Sequence, residues 1–105
     1  MKPRKKGDRY PMDFVLKENG VIITDAAGSS FTLRMVDRRT GTTKFSAAMT
    51  IVSAPLAQVR YTPGAADVDT ASDYNLEVDQ TRPDATHRHF PSDGFDLLTI
   101  QEPLG

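Results

Sequence analysis

Residues 69–78 read Asp69-Thr70-Ala71-Ser72-Asp73-Tyr74-Asn75-Leu76-Glu77-Val78. Tyr74, Leu76 and Val78 alternate with Asn75 and Glu77. Successive side chains on a strand point to opposite faces, so this period of two describes a strand with one buried side. The loop ahead of it, residues 64–73, is rich in Ala and Asp. Asp69 is placed to cap that loop by accepting backbone N–H bonds. Tyr74 is placed to pin the corner through its hydroxyl, as tyrosine corners do in β-sandwiches. Beyond the strand, residues 80–85 turn the chain around Pro83-Asp84. Residues 86–90 form a short strand, and Pro91-Ser92-Asp93-Gly94 bends. Residues 95–101 form the last strand, which Pro103 ends. The stretch from Asp69 to Ile100 therefore reads as the closing strands of a small sandwich.

The same period recurs upstream. Tyr10, Met12, Phe14 and Leu16 alternate with Pro11, Asp13, Val15 and Lys17, and Pro11 places this strand at a sheet edge because it cannot donate to a ladder. Asn19-Gly20 supplies the positive φ of a turn. Residues 21–24 are β-branched and too few for a helix. Phe31, Leu33 and Met35 alternate with Thr32 and Arg34. Residues 37–42 form a hairpin turn with Gly41 at a positive-φ position. The partner strand spans residues 43–52. Its alternation slips between Phe45, Ala47 or Ala48, Met49 and Ile51, the signature of a bulge. Residues 58–62 form another short strand, stopped by Pro63-Gly64. No segment keeps a helical apolar period. The expectation is one all-β domain, an antiparallel β-sandwich of about seven or eight short strands.

Bulk composition agrees with a small domain. Among 105 residues there are 23 Leu, Ile, Val and Phe, and the formal net charge is −1. Low net charge argues against disorder, while so few large apolar residues make a thin core. With no cysteine, disulfides and thiolate metal sites are excluded. The sequence holds no apolar run of the length that spans a bilayer, about 18 residues. The basic N-terminus lacks the apolar segment of a secretory signal.

Charge is uneven. Lys2, Arg4, Lys5, Lys6 and Arg9 against Asp8 make residues 1–9 a basic arm ahead of a mildly acidic body, residues 10–105. These five cations are the candidate partner-binding residues, directed at an acidic neighbouring subunit or acting as a solubilising tail. Nucleic acid is a weaker expectation, because the arm has no interleaved aromatic for base stacking and the body is acidic.

Two further constellations bear on metals. Asp67, Asp69 and Asp73 stand at relative positions 1, 3 and 7, but Ala71, Ser72 and Val78 replace the residues an EF-hand requires. A corner-forming role is the stronger reading. His87 and His89 face one side of a strand, yet a zinc site needs further ligands and only carboxylates remain to supply them. A solvated face is the expectation, and no metal or cofactor is assigned. Serines 29, 30, 46, 53, 72 and 92 lack a nucleophile-elbow context, and no Gly-rich phosphate loop exists. The reading is non-enzymatic.

The order of these features resembles the N-terminal, immunoglobulin-like domain of bacteriophage baseplate upper proteins. The matching pieces are Lys6-Gly7-Asp8 before the first strand, Glu18-Asn19-Gly20, the strand at 31–36 and Thr40-Gly41-Thr42. Val59-Arg60-Tyr61 follows, then Asp67 and Asp69, Tyr74-Asn75-Leu76-Glu77-Val78, Phe90-Pro91 and Leu98-Thr99-Ile100. Asp73 stands where that family usually has Gly. The resemblance implies an immunoglobulin-like sandwich and a structural role in a virion. The implied partners are tail, baseplate or major capsid subunits, in a homo- or hetero-oligomer with no membrane. Ending at Gly105, the chain would be the docking module without its cargo-bearing part. The alternative is a module that binds cell-surface glycan through exposed rings, for which Tyr10, Tyr61 and Phe90 are the candidates.

Overall fold

The computed structural model describes residues 2–91 and 96–103. Strands account for most of the regular structure, and no α-helix occurs among the described residues. In chain order they are β1 (Arg4–Lys5), β2 (Met12–Val15), β3 (Lys17–Glu18), β4 (Val21–Ile22), β5 (Ser30–Asp37) and β6 (Thr43–Ala48). Then come β7 (Thr50–Ser53), β8 (Gln58–Tyr61), a 3-10 turn (Ala65–Val68), β9 (Ser72–Thr81), β10 (His87–Phe90) and β11 (Asp96–Gln101).

The alternating residues became the core. Along β9, Tyr74, Leu76 and Val78 are buried, and Phe31, Leu33 and Met35 do the same on β5. These strands pair antiparallel, with Met35 opposite Leu76 and Leu33 opposite Val78. The larger sheet has the order β1-β11-β9-β5-β6, and β10 also pairs with β9. β11 takes Ser72 to Leu76 of β9, and β10 takes Val78 to Thr81. A smaller sheet, β2-β8-β7, covers one face. It contributes Met12 and Val59, with Phe14, Ile51 and Tyr61 packed partly buried against the core. The chain is an all-β sandwich. Burying each large apolar side chain contributes about 1.5–3 kcal/mol, and the apolar residues of both sheets meet in this one core.

Turns follow the local chemistry. Asn19 (φ 53°) and Gly20 (φ 77°) both have positive φ in the β3–β4 hairpin, the geometry a tight hairpin favours. Gly41 (φ 73°) closes the β5–β6 turn.

Several expectations change. The described residues hold eleven strands, because β1 is added, the first expected strand divides into β2 and β3, and the strand expected over 43–52 divides as well. The expected single strand over residues 43–52 is two. β6 belongs to the larger sheet and β7 to the smaller. Met49, whose N–H donates to the Phe31 carbonyl at 2.9 Å, lies between them. The slipped alternation thus marks a change of sheet, with a register shift on either side of it, between Thr43 and Phe45 against β5 and between Ile51 and Ser53 against β8. β9 continues through Gln80 and Thr81, where a turn was expected. The chain reverses over residues 82–86, with Ala85 at φ 69°. The residues 1–9 do not all stand apart from the body: β1 pairs parallel with β11, Arg4 opposite Ile100. The bend at 92–94 and the start of the last strand at Phe95 fall outside the described residues.

Candidate functional site

The corner is made by Tyr74, which donates its hydroxyl to the Thr70 carbonyl at 2.8 Å. Asp69 has a different partner from the one expected. Its Oδ1 accepts from Lys44 Nζ at 2.6 Å and from Thr70 Oγ1 at 2.9 Å. The Lys44 ammonium holds the Asp69 carboxyl below its ordinary range, and Asp69 raises Lys44 in turn.

The three loop aspartates diverge. Asp67 Oδ2 accepts from the Gly64 N–H at 2.8 Å and from the Tyr61 hydroxyl at 2.5 Å. Burial and this carboxylate push the Tyr61 hydroxyl up to about 12. Asp73, on the strand, accepts from Thr99 Oγ1 at 2.8 Å. With each carboxylate committed to its own partner, the loop is a set of caps and braces.

Of the five basic residues Arg4 alone is buried, while Lys5, Lys6 and Arg9 keep contacts to the body. Arg4 is only 4% exposed. Its guanidinium donates to the Tyr10 carbonyl at 2.8 Å and sits 4.1 Å over the Tyr10 ring. Lys5 Nζ donates to Gln101 Oε1 at 3.1 Å. Lys6 Nζ pairs with Glu102 at 2.9 Å. Arg9 Nε donates to the Pro63 carbonyl at 3.2 Å. The Lys6 ammonium thus has an acidic partner, Glu102, within this same chain. Lys2 is exposed.

The histidines separate although they share a face. His87 Nδ1 lies 3.2 Å from Thr81 Oγ1. His89 instead meets β9: it is opposite Asp79 in register, hydrogen-bonds Asp79 and lies 3.2 Å from Glu77 Oε1. Glu77 and Asp79 are two residues apart, so they share the outer face with His89. The sequence reading singled out the histidine pair and missed these carboxylates. Their two-residue spacing was visible, but which strand lay beside His89 was not.

Two surface features complete the description. The smaller sheet is open at both β2 and β7 among the described residues. Its solvent side exposes Val15 and Val52, and Leu56 is exposed in the turn that follows β7. Arg60 Nε donates to Asp13 Oδ1 at 2.6 Å on that same side. Between the two layers opens a groove of about 620 Å³, with Phe14, Leu76, Val78 and Phe90 among its walls and Asp13, Lys17 and Asp96 also lining it. Among the glycan-stacking candidates, Phe90 is buried and Tyr61 is half-buried and stacked on Phe45, centroids 4.9 Å apart. Only Tyr10 is exposed, at 50%.

No family model, no curated protein and no solved structure matches this chain. Among the described residues, no helix is long and apolar enough to cross a membrane.

Proposed function

We propose that this chain is a non-enzymatic structural subunit of a bacteriophage virion, a tail, baseplate or capsid component that acts by packing on other proteins. The observation that carries the packing role is the outer face of the β2-β8-β7 sheet. It presents Val15 and Val52 to solvent, with Leu56 exposed in the turn that follows β7, beside two open edges. Open edges offer unpaired backbone groups for strand addition by a partner, and exposed apolar side chains supply the contact area beside them. The virion setting rests on the resemblance in motif order.

Mass spectrometry of purified particles from infected host cells tests the reading. The chain is expected at a fixed copy number per particle, and its absence overturns the proposal. Val15→Asp with Val52→Asp is expected to abolish incorporation while circular dichroism stays unchanged. Normal incorporation of that variant overturns the assignment to this face.

A further inference from the structure

Glu77, Asp79 and His89 bring one nitrogen and two carboxylate oxygens within 4.8 Å of one another. They come from neighbouring antiparallel strands, two from β9 and one from β10. Strand periodicity puts Glu77 and Asp79 on one face, and the Asp79–His89 register sets the imidazole beside them. His89 Nδ1 lies 3.2 Å from Glu77 Oε1 and hydrogen-bonds Asp79, so the three groups converge on one point of the sheet surface. Imidazole with carboxylates suits zinc and its first-row neighbours.

The charges around the cluster also favour a cation. Two carboxylates on one face repel, and a cation bound between them relieves that repulsion. Arg34 on β5 lies opposite Glu77, but its guanidinium bonds Thr43 Oγ1 on β6 at 3.4 Å. His87 on β10 faces Thr81. The His89 imidazole thus holds the position nearest both acids, and its Nδ1 is the atom that a metal would share with them.

We propose that Glu77, Asp79 and His89 form a zinc site on the outer face of the larger sheet, with solvent completing the coordination. The site is independent of the docking face proposed above. Its ligands face solvent, so the ion binds reversibly, and a proton on His89 competes with it.

Calorimetry of the full chain with zinc chloride at about pH 7.5, above the ordinary histidine range, tests the assignment. One ion is expected per chain. His89→Ala and Glu77→Gln are each expected to weaken binding by about tenfold or more, while His87→Ala leaves it unchanged. In NMR spectra, zinc should move the His89 ring signals and leave those of His87 in place. An unmodified chain that gives no binding heat overturns the proposal and leaves a surface ion pair only. Equal loss in His87→Ala and His89→Ala overturns this ligand set in favour of the histidine pair.

Discussion

Tyr74 and Thr70 close the corner that begins β9, hydroxyl to carbonyl at 2.8 Å. The Tyr74 ring is only 1% exposed, so the hydroxyl leaves water when the chain folds and must find a partner. The bond ties the entry of the longest strand to the loop before it. Burial raises the Tyr74 hydroxyl above its ordinary range, with Lys44 opposing that shift, and keeps it a donor. Tyr74→Phe is expected to cost about 1 kcal/mol, from the lost bond and the stranded carbonyl. Urea unfolding should show a lower midpoint with an unchanged slope. An unchanged midpoint would show that the corner needs no hydroxyl.

Arg4 and Lys2 separate the buried from the solvated part of the basic segment. Arg4→Ala removes a charge-assisted hydrogen bond and the cover over Tyr10. The expected loss is about 1.5–3 kcal/mol. Lys2→Ala, at an exposed position, should stay within about 0.5 kcal/mol of the parent. Thermal melts of the two variants side by side check this, and equal melting temperatures would return Arg4 to a free arm.

Gln80 is fully buried and joins two elements. Its Nε2 donates to Ser29 Oγ at 3.0 Å and to Asp25 Oδ1 at 3.2 Å. Its Oε1 accepts from Arg88 Nε at 3.1 Å. Arg88 also pairs with Asp25 at 2.5 Å and with Glu18. Gln80→Leu keeps the volume and removes the hub, leaving buried polar partners behind. The expected cost is about 2–3 kcal/mol, read by denaturant unfolding. A neutral result would mean the surrounding groups reach water without it.

The pH response divides by sign. The hydrogen bond to Asp79 and the Asp79 charge raise His89 above its ordinary 6.5, burial opposes them, and Glu77 adds to the raise. The stability it contributes is fully present below about pH 6.5 and lost as pH rises through the raised folded value. Asp25 goes the other way. Burial pushes it up, but the Gln80 amide and the Arg88 and Arg82 guanidinia outweigh that and lower it. Its contribution is present above the ordinary 3.8 and lost as pH falls through the lowered folded value. An NMR titration should place His89 above 6.5, and Asp79→Asn should bring it down. A His89 midpoint that ignores that substitution would contradict the pairing.

Much of the fold was legible because alternation is local. Leu33 and Met35, or Leu76 and Val78, announce a buried face without reference to any other segment. The Asn19-Gly20 and Gly41 turns are legible for the same reason, since backbone preference belongs to the residue. Met49 shows the limit: the slipped pattern around it was visible and the register does shift on either side, but the change of sheet between β6 and β7 was not separable from those shifts. Gln80 shows another, because a polar residue in an inward position looks like the end of a strand until Ser29, Asp25 and Arg88 surround it.

By itself the amino-acid sequence determined that this chain is all-β, which residues face inward along β5 and β9, and where the tight turns fall. The tertiary structure decided what the polar groups do. It folded Arg4 and Lys5 into the sheet beside β11, set Asp69 against Lys44, and brought Glu77 and Asp79 from β9 to His89 on β10. The reason is physical. Side-chain direction follows from the backbone of one strand, whereas a hydrogen bond or a shared ligand position exists only once two strands have taken a register.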